Sequence, residues 1–359
     1  MRVLYFGTYD RDYPRNAQVI SCLRGAGVEV LEHHEPVWEG RRHAWDSGPL
    51  AAFRMLGAEA RLRRPVRKPF DAVIVGYPGH FDVPRARRVA GKSRPLVFNP
   101  LVSLADTLVG DRGRWREGSF AARTLAAVDR RALRLADVVV ADTEAHAGFL
   151  ARAGDIPRER VETALVGAEE RLFRPAWRPP ATFACLFVGK LIPLHGLETI
   201  LAAAKLAPEL PFRFVGSGQL DALLEARPPN VDWQRWIEYA RLPEAYWEAG
   251  CALGIFGTSD KAQRVIPNKA FQALACGTPL VTADTPAARE LLVDGESALL
   301  VPPGDAQALA AAVRRVAADP ELALHLSAGG RAAYERHASE DVLGARWRSL
   351  LERAIASKA

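Results

Sequence analysis

Two patterns of apolar and polar positions alternate along the first half of the chain, one typical of strands and one typical of helices. Short, nearly continuous apolar runs are typical of strands buried in a parallel sheet, and apolar residues that recur every three or four positions predict amphipathic helices. The predicted strands are 3–6, 28–33, 72–76, 96–99 and 138–142. The predicted helices are 17–25, 50–63, 85–90, 119–135 and 144–153. Strands separated by helices indicate βαβ units and a parallel sheet.

The same alternation restarts after a proline-rich segment, AWRPPAT, at 176–182. This segment has no periodicity and predicts a hinge. The strands predicted beyond it are 185–188, 212–215, 231–233, 253–256 and 280–283, and the helices are 197–205, 220–226, 244–249 and most of 306–356. The predicted fold class is α/β, with two Rossmann-like parallel-sheet domains at 1–175 and 183–340 that face a cleft. We expect 341–359 to form a C-terminal helix that packs back on the first domain.

One segment, which begins at Arg264, has more polar and charged side chains than a loop needs if it only connects two elements. Pro267 suits the first turn of a helix, where a missing N–H costs nothing, and Gly277 suits a left-handed helix end. The N–H groups at the helix start lie beside Arg264, Asn268 and Lys269. Since a helix start attracts negative charge, this segment predicts an anion site.

Size and composition narrow the class of protein. A chain of 359 residues suggests two domains of ordinary size. No apolar run approaches the roughly 18 residues of a membrane span, and the chain enters a strand without a signal-peptide pattern. The four cysteines are far apart in apolar segments, as expected of free thiols in a reducing compartment. We therefore expect a cytoplasmic protein.

The basic excess lies in the first half of the chain. Residues 1–175 hold 29 Lys and Arg against 22 Asp and Glu, whereas residues 176–359 hold 19 against 20. The basic clusters lie at 61–68, 85–88 and 112–116. The positive electrostatic field of these clusters favours binding to an anionic lipid surface, a phosphorylated substrate or nucleic acid. Each cluster alone is also compatible with a solvated surface. Because no nucleic-acid module is recognisable, we expect no nucleic-acid partner.

Several segments resemble one protein family. FVGKLIPLHGLETILAAA, VGSGQL and the segment that begins at Arg264 are similar to the C-terminal half of family 4 retaining glycosyltransferases. GTYDRDYPRN, VFNPLVSLADTLVGDR and DTEAHAGFL resemble the N-terminal half of one bacterial branch of that family. The resemblance implies the GT-B fold, in which the first domain binds the acceptor and the second binds a nucleotide-sugar donor.

The resemblance implies a set of donor-binding residues. Lys190, after Gly189, would contact the donor diphosphate, and His195 occupies a position where the family usually has lysine. His195 is also compatible with capping a helix, and Gly216 is compatible with either a backbone approach to the nucleotide or a plain tight turn. The rest of the predicted donor set is Arg235, Trp236, Ile237, Arg264, Val265, Ile266, Asn268, Lys269 and Gln272. Trp236 would either stack on the base or merely pack.

The chain departs from the family at two positions. The family commonly has two glutamates where this chain has Arg264 and Gln272. The Gln272 amide can bond a ribose hydroxyl, and Arg264 can hold a phosphate with two hydrogen bonds. The segment therefore favours a diphosphate and leaves the sugar open.

Acceptor groups are expected in loops that follow the strands of the first domain. The candidates are Tyr9, Arg15, Asn16 and His80. Many family members have a histidine near the segment that reads VFNPL here, and this chain has none, so His80 or Asp106 would supply an acid–base or orienting role. A solvated loop histidine is the alternative for His80. The predicted catalytic set is His80, Asp106, Lys190 and Lys269.

The expected function is that of a retaining, metal-independent glycosyltransferase that moves a sugar from a nucleotide-diphosphate sugar to a glycan or lipid-linked acceptor. Asp10 and Asp12 lie in a basic stretch and do not suggest a metal site, so no cofactor is expected. Aromatic and apolar residues among the arginines suggest peripheral contact with an anionic membrane, namely Trp38, Trp45, Phe53 and Met55. The alternatives are a non-catalytic nucleotide-sugar-binding protein and a GT-B nucleotide-sugar epimerase.

Overall fold

A computed structural model describes residues 1–11, 13–37 and 57–358, and the chain divides into two compact units. The first unit is Met1–Leu165 with Glu340–Ala359, and the second is Val166–Ser339. Each contains a six-stranded parallel sheet with helices on its faces. The predicted α/β class with two Rossmann-like parallel-sheet domains is confirmed.

The first unit is built on one sheet, whose strand order is β2-β1-β3-β4-β5-β6. Its strands are β1 (Arg2–Gly7), β2 (Glu29–His34), β3 (Ala72–Val75), β4 (Leu96–Phe98), β5 (Val138–Ala141) and β6 (Val161–Thr163). Its first helices are α1 (Pro14–Gly25), α2 (Val83–Ala90), α3 (Phe120–Leu135) and α4 (Glu144–Gly154). Helices α2, α3 and α4 share one apolar core with the sheet, and α1 contributes to a second core.

The second unit repeats this design with the strand order β12-β11-β10-β7-β8-β9. Its strands are β7 (Cys185–Val188), β8 (Phe212–Val215), β9 (Val231–Gln234), β10 (Cys251–Leu253), β11 (Leu280–Ala283) and β12 (Leu299–Val301). Its helices are α5 (Leu197–Leu206), α6 (Asp221–Glu225), α7 (Leu242–Trp247), α8 (Asn268–Cys276), α9 (Ala306–Ala318) and α10 (Pro320–His337). The last helix of the chain, α11 (Glu340–Ala356), packs against α1 in the first unit.

Some element boundaries differ from those predicted. Strands β6 and β12 were not predicted, because each has three residues and lies at a sheet edge, where the apolar signal is short. Helix α7 begins at Leu242 because Pro243 occupies its first turn. Strand β10 ends at Leu253, earlier than predicted. The predicted helix at 50–63 lies partly outside the described residues.

The chain enters the second unit before the proline-rich segment. The ring of Phe173 packs edge-on against Tyr239 and Tyr246, and the indole N–H of Trp177 donates to the carbonyl oxygen of Ala249 at 2.7 Å. These contacts place Phe173 and Trp177 in the second unit. They agree with the division of the chain, in which the second unit begins at Val166.

Candidate functional site

The second sheet reverses its strand order beside β7. The chain runs from β7 to β8 and β9 on one side, and then crosses back to place β10 on the other side of β7. In open parallel sheets, ligands bind outside the carboxyl ends of the strands at such a reversal. The segments that leave β7 and β10 are therefore where a ligand of this unit is expected.

Two glycines allow the backbone to pass closely at this edge. Gly189 follows β7 with φ of 144°, and a Cβ atom there would lie 3.0 Å from the Nζ atom of Lys269. Gly216 follows β8 with φ of 134°, and a Cβ atom there would overlap the carbonyl oxygen of Gly189. A side chain would therefore be strained at both positions. That these glycines bring backbone close to a nucleotide stays a prediction.

Lys269 places an amine inside this edge of the sheet. It is the second residue of α8, and its side chain points to β7, where Nζ lies 3.7 Å from the ring centroid of Phe187. The residue is 6% exposed, and Nζ has no hydrogen-bond partner among the described residues. Burial lowers the pKa of the Lys269 amine well below its ordinary value. Lysine is almost never buried without a partner, so this amine is suited to an anionic ligand.

His195 lies against the same ring. Its Nδ1 atom is 2.6 Å from the carbonyl oxygen of Lys190, and its ring meets Phe187 edge-on. Because a carbonyl oxygen only accepts, Nδ1 carries a proton, and Nε2 donates only when the imidazole is protonated. Gly196 is the N-cap of α5, and whether His195 acts on a donor or only caps the helix stays a prediction.

Five predicted donor residues therefore converge after β7 and β8. They are Gly189, Lys190, His195, Gly216 and Lys269. The side chain of Lys190 is exposed, whereas those of His195 and Lys269 are buried. Asn268, half-buried, is the first residue of α8, and Pro267 is its N-cap, one position earlier in the helix than predicted.

The remaining predicted residues around α8 have other contacts. Gln272 is buried, and its Oε1 atom accepts from the Tyr246 hydroxyl at 3.1 Å, so its amide is already engaged within the unit. Ile266 is buried beside Val265 in a small apolar cavity, so its side chain faces inward. Arg264 is half-buried at the end of a 3₁₀ turn.

The loop predicted to hold the base is largely exposed. The guanidinium of Arg235 pairs with Asp221 at 2.9 Å and Glu225 at 2.6 Å. It also stacks over the ring of Trp233. Trp236 is 55% exposed, so a large part of its ring faces solvent. Ile237 is half-buried. A role of this loop in holding a base stays a prediction.

Three acceptor candidates in the first unit are instead fully buried structural residues. The Tyr9 hydroxyl donates to Glu32 at 2.8 Å, and Arg15 donates to Asn99 and to two backbone carbonyls. Asn16 donates to two backbone carbonyls, and its Oδ1 atom accepts from the Tyr5 hydroxyl and from a backbone N–H. Because all three side chains are buried, the structure does not support their contact with an acceptor.

His80 follows β3 as predicted, but it is neither solvated nor open. It is 2% exposed, its Nδ1 atom is 2.8 Å from the Pro78 carbonyl oxygen, and its Nε2 atom is 3.3 Å from the Asp129 carboxylate. Asp129 also accepts from Ser103. This network links three segments of the unit, so contact of His80 with a substrate is not supported. Asp106 is half-buried at the start of a π-helical turn.

Sequence reasoning missed two features. Asp142 and His146 form a buried pair at the carboxyl end of β5, with 2.5 Å between Oδ1 and Nδ1. Their spacing of four residues across a helix start was a usable signal. Phe187, which lies beneath Lys269, gave no signal, because an aromatic residue in a buried strand is ordinary.

The chain has two Rossmann-like units, and the second has basic side chains where its strand order reverses. These features are typical of nucleotide-binding α/β proteins. Family models agree and are more specific. Residues 2–167 match the model described as "Glycosyl transferase 4-like domain", and residues 195–352 match the model described as "Glycosyl transferase-like". The chain belongs to the group 1 glycosyltransferases of family 4, which have the GT-B fold.

Curated relatives are glycosyltransferases. D-inositol 3-phosphate glycosyltransferase of Thermobispora bispora is 29% identical over 227 residues, which are 56% of this chain and 52% of that protein. The enzyme of the same name from Nocardioides sp. is 28% identical over 346 residues, which are 84% of this chain and 71% of that protein. The chain thus matches about half the length of the first relative.

Solved structures share the fold. Sucrose-phosphate synthase from Thermosynechococcus elongatus aligns with a TM-score of 0.77 at 19% identity, over 99% of both chains. Anabaena HepE in complex with UDP-glucose aligns with a TM-score of 0.69 at 16% identity, over 98% of this chain and all of that one.

Proposed function

We propose that this protein is a retaining, metal-independent glycosyltransferase that moves a sugar from a nucleotide-diphosphate sugar to a glycan or lipid-linked acceptor. One observation carries the proposal. The buried Lys269 amine lies without a hydrogen-bond partner among the described residues, beside Gly189, at the strand reversal of the second unit. A diphosphate is the donor group that such a site suits best.

The chemistry requires stabilisation of a departing diphosphate. As the bond between the anomeric carbon and the diphosphate oxygen breaks, the acceptor oxygen bonds to that carbon, and its proton passes to a departing phosphate oxygen. Lys269, Lys190 and protonated His195 would offset the negative charge that develops. The start of α8, immediately before Lys269, would add a partial positive charge.

Different observations support the retained anomeric configuration and the metal independence that we propose. Retention is supported by the family, in which the acceptor attacks the face that the leaving group vacates. Metal independence is supported by three basic side chains, those of Lys190, His195 and Lys269, close to one turn, because in their protonated forms they can supply the charge that a metal ion would otherwise provide. Nuclear magnetic resonance of the product would show whether the anomeric configuration is kept.

The test is a panel of nucleotide sugars, each assayed with and without EDTA. Thermal shift reports binding, and release of the nucleoside diphosphate reports turnover. We expect one donor to shift the melting temperature most and its turnover to be unaffected by EDTA. If no nucleotide sugar or nucleoside diphosphate shifts the melting temperature, the proposed donor site is wrong. Binding without turnover on any acceptor extract would favour the non-catalytic alternative.

We also propose peripheral contact with an anionic membrane, as suits a lipid-linked acceptor. No helix in the described part of the chain is long and apolar enough to cross a bilayer. The aromatic and apolar residues that suggested this contact lie outside the described residues, namely Trp38, Trp45, Phe53 and Met55. Asp12 also lies outside them. The proposal is therefore supported by the basic excess of the first half.

A further inference from the structure

Two basic clusters that are separate in sequence line one cavity in the first unit. The cavity is open to solvent and has a volume of about 480 Å³, and seven basic side chains line it. Four of them come from residues 63–68, and the others are Arg85 and Arg88 of α2 and Arg94, which precedes β4. We call this cavity the basic pocket. No acidic residue is among its lining residues.

The cations of the basic pocket are poorly neutralised. Among the described residues, only Arg85 has a carboxylate partner, Glu59, at 3.9 Å. Arg94 is held in place, because its Nε atom donates to the Phe70 carbonyl oxygen at 3.0 Å and its guanidinium stacks on the Phe70 ring. The side chains of residues 63, 64, 67, 68 and 88 are exposed. Mutual repulsion among these cations would be relieved by several anionic groups together.

The basic pocket lies away from the edge where ligands of this sheet are expected. Phe70 and Arg94 precede β3 and β4, so the pocket is at the amino ends of these strands. Ligands bind at carboxyl ends, where the chain reverses between β1 and β3 in this sheet. A ligand in the basic pocket would therefore be separate from one that binds at the carboxyl edge of this sheet.

A second surface with interfacial character lies on the same face of the sheet but at its carboxyl edge, because α3 leads from the carboxyl end of β4 back to the amino end of β5. Helices α2 and α3 share one apolar core, which puts them on the same side. At the start of α3, Phe120 is 80% exposed, and nearby Trp115 is 37% exposed with Arg114 stacked on its ring. None of residues 120–128 is buried. Exposed aromatic residues among arginines are typical of segments that lie in a membrane interface.

We propose that the basic pocket and the segment Trp115–Phe120 dock this protein on the surface of an anionic phospholipid membrane, with headgroup phosphates bound in the pocket. The apolar floor of the pocket, formed by Leu62, Phe70 and two valines, suits the glycerol region beneath those phosphates. This inference names the surface for the membrane contact and does not depend on the transfer reaction.

The test is co-sedimentation of the full chain with vesicles of phosphatidylcholine, with and without phosphatidylglycerol. We expect binding only to the anionic vesicles, and binding that weakens as salt rises. The combined variant Arg64→Gln, Arg67→Gln, Arg88→Gln should bind about a hundredfold more weakly, because each basic residue near such a surface contributes roughly a factor of five. Phe120→Ser should also weaken binding.

A matched control removes three exposed cations from the second unit, in the variant Lys205→Gln, Arg315→Gln, Arg336→Gln. It should bind like the unaltered protein, and an equal loss in both variants would overturn the proposal in favour of a general charge effect. Retained binding by the pocket variant would also overturn it. If glycerol phosphate stabilises the protein through the pocket while vesicles are not bound, the pocket serves a soluble phosphate and the membrane proposal is wrong. Binding of a nucleoside diphosphate is measured for every variant. Unchanged affinity shows that the variant is folded, and this measurement tests the donor site separately from the membrane contact.

Discussion

Lys269 combines burial, contact with an aromatic ring and a Nζ atom without a hydrogen-bond partner among the described residues. The sequence predicted a cation at a helix start, because a proline and a glycine marked the ends of that helix. It could not predict that Phe187 would lie beneath the amine, since that contact joins distant elements. The sequence suggested Asn16 as an acceptor residue, because it is polar and follows the first strand. It could not show that the Asn16 side chain forms its hydrogen bonds with the protein's own backbone.

The protonation of Lys269 gives a prediction about pH. Burial lowers the pKa of this amine in the free protein, and a bound diphosphate would raise it. Between these two values, binding takes up a proton, so the affinity for a nucleoside diphosphate should fall with rising pH by up to roughly tenfold per pH unit. Calorimetry in buffers of different ionisation enthalpy measures the uptake directly.

Lys269→Arg is the control for that prediction. A guanidinium stays protonated throughout this range, so the pH dependence should be much flatter in this variant. A profile as steep as that of the unaltered protein would assign the proton to another group, with His195 as the first candidate.

At the scale of elements, the strands and helices followed from apolar periodicity, and the tight turns between them did not. The predicted helix 119–135 is α3, with Ser119 as its N-cap, and the predicted helix 144–153 is α4. By contrast, the close approach of the turns after β7 and β8 depends on contacts between backbone atoms. A sequence shows only that Gly189 and Gly216 are glycines, and such a pattern also fits an ordinary turn.

This close approach predicts a large effect of Gly216→Ala. Its φ of 134° is strained for alanine, and the new methyl group would overlap the Gly189 carbonyl oxygen. We expect a loss of about 2–4 kcal/mol in the free energy of unfolding, measured by urea denaturation. Gly295→Ala is the comparison, because Gly295 also has positive φ but no atom lies within 4 Å of the new methyl group. Its loss should be only about 1–2 kcal/mol, and equal losses would show that the turns do not meet so closely.

At the scale of the whole molecule, each of the two units carries a different candidate site. The candidate donor site lies within the second unit, and the basic pocket lies within the first. The first unit is completed by α11, whose Trp347 is buried in a core shared with α1. The two-domain α/β class was predictable because the βαβ alternation occurs twice. The start of the second unit at Val166 was not, because it depends on the packing of Phe173 and Trp177.

This division predicts that stability and donor binding can be separated. Trp347→Ala should lower the free energy of unfolding by about 3–5 kcal/mol, because it opens a cavity in the core of the first unit. Circular dichroism during urea denaturation measures this loss. At temperatures where the variant is folded, its affinity for a nucleoside diphosphate should be unchanged. A marked loss of affinity in the folded variant would contradict the assignment of the donor site to the second unit alone.

The central claim is that a nucleoside diphosphate binds where Lys269 meets the turn after β7. The most direct test is calorimetric titration with the nucleoside diphosphate that gives the largest thermal shift, using the unaltered protein, Lys269→Met and Lys205→Met. Lys205 is an exposed lysine of α5 and serves as the control. We predict that Lys269→Met weakens binding by roughly 10- to 100-fold, the value of a hydrogen bond to a charged group, and that Lys205→Met binds like the unaltered protein. Equal affinity in Lys269→Met and the unaltered protein would contradict the claim.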